Sequence, residues 1–98
     1  MTEQPLACAL PADEAQRQAR QTRSTLGPAV LSREEIDGGL RLRFPADDAT
    51  EAAVREVIEA ESRCCPFLTM ALEPREGEFE FTVTGPPEAK PIMEQLFA

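Results

Sequence analysis

Two short segments with strict apolar–polar alternation constrain the fold of this 98-residue chain most strongly. In residues 40–44, leucine and phenylalanine alternate with arginine, and in residues 79–83, phenylalanine and valine alternate with glutamate and threonine. A period of two is typical of strands that bury one face. Turn-forming residues precede both segments, at positions 37–39 and 73–77. We therefore expect two β-hairpins, over residues 30–44 and from residue 68 to residue 84.

Helical patterns separate the two hairpins and flank them. The first helix is expected to begin near residues 11–14, where proline and two acids suit a first turn, and to end at Gly27-Pro28. A short terminal helix is expected from Glu88 or Pro91 to Phe97, because apolar residues recur there at helical spacing.

The central helix carries the strongest helical pattern and is expected over residues 49–64. Asp47 or Asp48 is its predicted N-cap, since an aspartate there accepts hydrogen bonds from the first helical amides. Pro66 is expected to end it, because the residue before a proline is pushed out of helical geometry.

The resulting order is helix, hairpin, helix, hairpin, helix, which predicts one α+β domain over residues 1–98. Helices gathered on one face of a four-stranded antiparallel sheet form a two-layer sandwich. An additional strand over residues 6–10 would instead give a ferredoxin-like variant. Small domains bury a limited fraction of their surface, so a homodimer is an expected way to cover any remaining apolar face.

Charge and composition exclude several classes of function. Ten basic residues oppose eighteen acidic ones, the net charge is −8, and the chain has no histidine. This balance disfavours binding to nucleic acid or to anionic membranes, and catalysis cannot depend on an imidazole. No apolar run approaches the roughly 20 residues of a membrane span. The amino terminus has no secretory-signal pattern, which indicates a cytoplasmic protein whose three cysteines do not form a disulfide framework.

The chemically distinctive segment lies at the end of the central helix. Its buried stripe continues from Val57 to Glu61 and then to Cys64, at spacings of four and three residues. Pro66 should force Cys65 into an extended conformation, which redirects its sulfur toward that of Cys64. A carboxylate and two thiols are therefore expected in one partly buried patch, as in a site for a thiophilic metal ion.

Cys8 is the expected third thiolate ligand of this site. Three thiolates suit Zn(II), Cd(II), Hg(II), As(III) or Cu(I) by their softness. The alternative is that the cysteines are small core residues, since free cysteine is often buried. Glu61 would then need a partner for its carboxylate. Three arginines are candidates for that ion pair: Arg63, Arg41 and Arg17.

A resemblance to a known domain rests on these motifs. The pattern Glu-x-x-Cys-Cys-Pro-Phe-Leu over residues 61–68, followed by a hairpin, by Val-Thr-Gly-Pro over residues 83–86 and by a helix ending in Leu96-Phe97, resembles a small bacterial domain. That domain occurs alone or attached to regulators of the mercury-resistance (MerR) type. The likeness covers roughly residues 40–97, and residues 8–11 extend it. It implies metal or thiol sensing but not DNA binding, because this chain has no helix-turn-helix pattern.

Three functions compete at this point. The first is a soft-metal-binding or metal-sensing accessory domain that uses Cys64 and Cys65 with Cys8 or Glu61. The second is a thiol redox switch or thiol enzyme with Glu61 as its general base. Neighbouring acids and a helix carboxy terminus both disfavour a thiolate, so binding is favoured over catalysis. The third is a protein-interaction or dimerisation domain whose cysteines are inert.

Overall fold

Helices and hairpins alternate along the chain in the predicted order. The structure, a computed structural model, describes residues 10–97. Within that range, two short 3₁₀ turns (Gly27–Ala29 and Pro87–Ala89) accompany three helices and four strands. These are α1 (Ala12–Leu26), β1 (Ser32–Ile36), β2 (Gly39–Pro45), α2 (Asp48–Cys64), β3 (Thr69–Arg75), β4 (Glu78–Thr84) and α3 (Lys90–Phe97).

The four strands form one antiparallel sheet in the order β1-β2-β4-β3. Leu42 of β2 lies opposite Phe81 of β4, so the two alternating segments become the central pair of strands. The α+β class and the four-stranded antiparallel sheet are thus confirmed. The proposed extra strand over residues 6–10 falls almost entirely outside the described residues.

The second hairpin has a tighter turn than the sequence predicts. Residues 73–75 were expected in the loop, but β3 continues to Arg75, and the turn contains Gly77 at φ 73°. Pro74 is tolerated in β3 because this strand lies at the edge of the sheet and pairs on one side only. Proline lacks an amide hydrogen, and an edge strand can present that position to solvent.

The core lies between the sheet and the helices. Leu42, Phe44 and Phe81 on the central strands are at most 1% exposed. The ring of Phe81 meets Phe44 edge-on at 6.5 Å between centroids and Phe97 of α3 at 5.2 Å. Such aromatic pairs contribute stability beyond the burial of their surface, so this cluster fixes α3 on the sheet.

The helix α1 packs against both α2 and α3. Its buried residues are Ala19, Thr22 and Leu26, and the small side chain of Ala19 allows close approach. Arg23 donates a hydrogen bond to the Gln95 carbonyl near the end of α3. A cation near a helix carboxy terminus is favourable, because the helix dipole is negative there.

The other face of the sheet is polar. The Glu80 carboxylate lies 3.7 Å from Arg41, 3.8 Å from Arg43 and 3.2 Å from Arg75. The acidic and basic side chains therefore neutralise one another locally on this face. No helix within residues 10–97 is long and apolar enough to cross a bilayer. The homodimer stays a prediction.

Candidate metal centre

The helix α2 is fixed at its start by a side-chain cap. The Asp47 carboxylate accepts hydrogen bonds from the Thr50 amide at 2.8 Å and from the Thr50 hydroxyl at 3.0 Å. These two bonds favour the ionised form and lower the pKa of Asp47. Of the two predicted caps, Asp47 is therefore the one used, and the helix starts one residue before the predicted boundary.

At its other end, α2 stops at Cys64, as Pro66 predicts. Cys65 has φ −125° and ψ 73°, which lies outside the helical region but is not the extended conformation that the sequence predicts. Its amide still donates to the Glu61 carbonyl at 2.6 Å, which completes the final helical turn. The proline thus bends the chain immediately after Cys64 without opening the end of the helix.

This exit from the helix brings three candidate ligands together. A carboxylate oxygen of Glu61 and the sulfurs of Cys64 and Cys65 all lie within 4.8 Å of one another. The three residues are between 1% and 5% exposed, so the cluster is buried. We call it the Glu61–Cys64–Cys65 cluster.

The helix α1 supplies a polar partner to this cluster. The Thr22 hydroxyl donates a hydrogen bond of 2.7 Å to Oε2 of Glu61, and both side chains are buried. Thr22 was not among the predicted site residues. Its position, three residues after Ala19 and four before Leu26, places it on the buried stripe of α1. That spacing is the signal that would have found it.

The arginines considered as partners of Glu61 pair with other carboxylates instead. Arg63 contacts Glu59 at 3.0 Å, Arg41 contacts Glu34 at 2.8 Å, and Arg17 lies 3.9 Å from Asp13. The first and third of these pairs have i, i+4 spacing on a single helix. Ion pairs at this spacing form within one helix without any tertiary contact. These two arginines are therefore paired locally and form no ion pair with Glu61.

The two thiols of the cluster are in different chemical states. Cys65 is a free, buried cysteine. Burial, and secondarily the charge of Glu61, raise its pKa to about 11. Cys64 is disulfide-bonded, whereas the sequence predicts only that the three cysteines form no disulfide framework. Chain spacing alone says little about tertiary cysteine pairing. Cys8, the expected third thiolate, lies outside the described residues.

Two sulfurs and a carboxylate form a donor set for borderline and soft metal ions once Cys64 is reduced. In a tetrahedral zinc site, Zn–S bonds of about 2.3 Å hold two sulfurs about 3.8 Å apart. The separations in the cluster lie within 4.8 Å, so side-chain rotations of modest size would bring the three atoms to coordination distance. A fourth ligand would complete a tetrahedral site.

A cleft borders the cluster between the three helices. Its volume is about 430 Å³, and Glu61, Cys64 and Cys65 form one part of its wall. The residues that line the rest of the cleft are mainly small and aliphatic, with two glutamines among them: Leu10, Ala12, Ala15, Gln16, Ala19, Ile92, Gln95 and Leu96. The cluster is therefore buried and adjoins a mainly apolar cleft.

No family model, curated protein or solved structure matches the chain. The resemblance to the small bacterial domain accordingly stays a prediction. The chemistry of the Glu61–Cys64–Cys65 cluster and of the cleft beside it therefore bears most directly on function.

Proposed function

We propose that this protein is a domain that binds thiophilic metal ions. Its proposed ligands are Glu61, Cys64 and Cys65, which lie among the residues that the structure describes, and Cys8 as a further thiolate. The observation that carries the proposal is the convergence of one carboxylate and two sulfurs within 4.8 Å in a buried site. The site would bind a soft or borderline metal or metalloid ion: Zn(II), Cd(II), Hg(II), As(III) or Cu(I).

The burial of Glu61 supports this assignment. A carboxylate that is 1% exposed has lost nearly all of its contact with water. The hydrogen bond it accepts from Thr22 comes from a neutral hydroxyl, which brings no positive charge. Burying a charge is costly unless it is paired or coordinates a metal. A bound cation would supply the compensating charge to this carboxylate and to the thiolates together.

The disulfide at Cys64 sets a condition on binding. A sulfur in a disulfide is not a thiolate, so Cys64 becomes a ligand only after reduction of its bond by two electrons. The free thiol of Cys65 must lose its proton to bind, and its raised pKa means that the metal displaces this proton. We therefore expect metal uptake by the reduced protein, with proton release.

Titration of the reduced protein with Cd(II) tests the proposal. The protein is reduced with a phosphine, freed of reductant under inert gas and titrated while thiolate-to-metal absorption is recorded in the ultraviolet. We expect saturation at one ion per chain, and at least tenfold weaker binding in Cys65→Ser and in Glu61→Gln. Cys8→Ser tests the further thiolate in the same assay.

Glu59→Gln is the matched control for the carboxylate. Glu59 lies on the same helix, two residues before Glu61, but its side chain is 73% exposed. Its substitution removes the same charge at nearly the same place in the sequence, so the control should leave the Cd(II) affinity unchanged. Equal affinity of the wild type and of Cys65→Ser would overturn the metal proposal.

The disulfide state of Cys64 favours one second candidate, a reversible thiol–disulfide switch. In that case, the thiol count should change by two between reducing and oxidising glutathione buffers in a physiological range of potentials. Cys65 is poorly suited to be the attacking thiol, because its pKa of about 11 leaves little thiolate at neutral pH. A disulfide that stays intact throughout that range would exclude the switch.

A further inference from the structure

We propose that the cleft beside the cluster gives the site a preference for trivalent arsenic or a soft metal that carries a small apolar organic group. This inference rests on the proposed function and names the ligand class of the same site. The thiols would hold the metal or metalloid atom, and the cleft would hold its organic substituent.

The cleft is larger than a bare ion requires. A bare ion needs only its ligand atoms, whereas about 430 Å³ of space adjoins Glu61, Cys64 and Cys65. An apolar protein cavity of roughly 150 Å³ is already large enough to bind benzene. A phenyl group attached to an atom held by the two sulfurs therefore has room in this cleft.

The wall of the cleft is mainly apolar, and Gln16 and Gln95 are its polar members besides the cluster. The residues that α1 contributes include Ala12, Ala15 and Ala19, and α3 contributes Ile92 and Leu96. These side chains offer no charge, and an apolar group that leaves water for such a surface is stabilised in proportion to the area buried. The alanines also explain how the space arises, since larger side chains at these positions of α1 would occupy it.

Once Cys64 is reduced, two neighbouring thiols match the valence of an arsenic atom that carries one organic substituent. Phenylarsine oxide reacts with the two reduced thiols so that two S–H bonds break and two As–S bonds form. The arsenic-bound oxygen leaves as water with both protons, and the oxidation state of arsenic does not change. The phenyl group remains on arsenic as its third substituent. Prior reduction of Cys64 uses a phosphine, which takes up oxygen from water as its oxide and leaves two thiols.

The experiment compares phenylarsine oxide with arsenite on the reduced full-length protein, freed of phosphine, by isothermal titration calorimetry. Intact mass confirms the expected adducts. We expect phenylarsine oxide to bind at least tenfold more tightly than arsenite. Ala15→Leu, which fills the cleft, should abolish most of this preference while leaving the affinity for arsenite within about twofold.

Two further variants keep the test decisive. Ala52→Leu is the matched control, because Ala52 lies on an exposed position of α2 and adds the same bulk away from the cleft. Ala12→Leu at an exposed edge of the cleft repeats the test if Ala15→Leu does not fold. Equal affinities of the two arsenicals for the wild type would overturn the inference and leave the metal site standing. Failure of both arsenicals and of Cd(II) to bind would overturn the proposed function as well.

Discussion

The hydrogen bond from Thr22 to Glu61 gives the most informative test of how the cluster is held. Thr22→Val replaces the hydroxyl by a methyl group of similar size, so it removes the 2.7 Å bond with little change in packing. Both residues are at least 95% buried, and water therefore cannot replace the lost donor. Hydrogen bonds to charged groups contribute about 1.5–3 kcal/mol, which predicts a loss of about 2 kcal/mol in the free energy of unfolding.

Thermal and urea unfolding at one fixed redox state measure this loss. For a domain of this size, it corresponds to a melting temperature lower by roughly 8–16 °C. Thr25→Val is the control, because Thr25 is exposed on the same helix; its effect should stay within about 0.5 kcal/mol. A similarly small effect of Thr22→Val would refute the assigned hydrogen bond.

A double-mutant cycle separates this structural role from metal binding. Glu61→Met leaves Thr22 without its acceptor, whereas Thr22→Val combined with Glu61→Met replaces both polar groups by apolar ones. We expect the double variant to be more stable than the sum of the two single effects predicts, by about 1–2 kcal/mol. Glu61→Gln keeps an oxygen that can accept from Thr22, so it should retain most of the stability while weakening the binding of Cd(II).

Two further predictions concern the thiol and the sheet. Since the pKa of Cys65 is raised from 9.0 to about 11, its alkylation by iodoacetamide should accelerate up to about pH 11. Because the folded state favours the neutral thiol of Cys65, part of the free energy of unfolding should be lost as the pH rises from 9 to 11. An alkylation rate that levels off near pH 9 would contradict the raised pKa and therefore this loss of stability. Gly39→Ala should lower the urea midpoint strongly, because the added Cβ would overlap the backbone carbonyl oxygen of Val83. Gly27→Ala, which meets no heavy atom within 4 Å, is the control, and equal midpoints would refute the predicted clash.

Much of the fold is predictable from the sequence because the strongest patterns are local. The alternation over residues 40–44 and 79–83 predicts the central strands, and Pro66 predicts the end of α2. The β3–β4 turn is shorter than the sequence predicts because β3 includes Pro74, a residue that most strands exclude. Pro74 fits in β3 because β3 is an edge strand. The order of strands in the sheet is a property of the whole fold, so local sequence does not predict it.

The part of the candidate site that depends on local sequence patterns was likewise predictable. Glu61 and Cys64 are related by helical spacing, and Cys65 follows at the helix end that Pro66 predicts, so the proximity of the three residues is predictable from the chain. Thr22 is 39 residues away from Glu61, and its contact depends on how α1 packs against α2. The disulfide at Cys64 and the cleft between the three helices likewise depend on tertiary packing, which spacing along the chain does not encode.

The closeness of the three ligands in sequence has a consequence for how binding and folding are coupled. Glu61, Cys64 and Cys65 fall within five consecutive residues, so the unfolded chain already holds them near one another. An ion would then bind the reduced unfolded chain too, and affinity for the unfolded state diminishes the stabilisation that a ligand confers. With these three ligands alone, the ion would stabilise the last turn of α2 and add little to the free energy of unfolding of the whole domain. Participation of Cys8 would change this, because the ion would then close a long loop and restrict the unfolded chain.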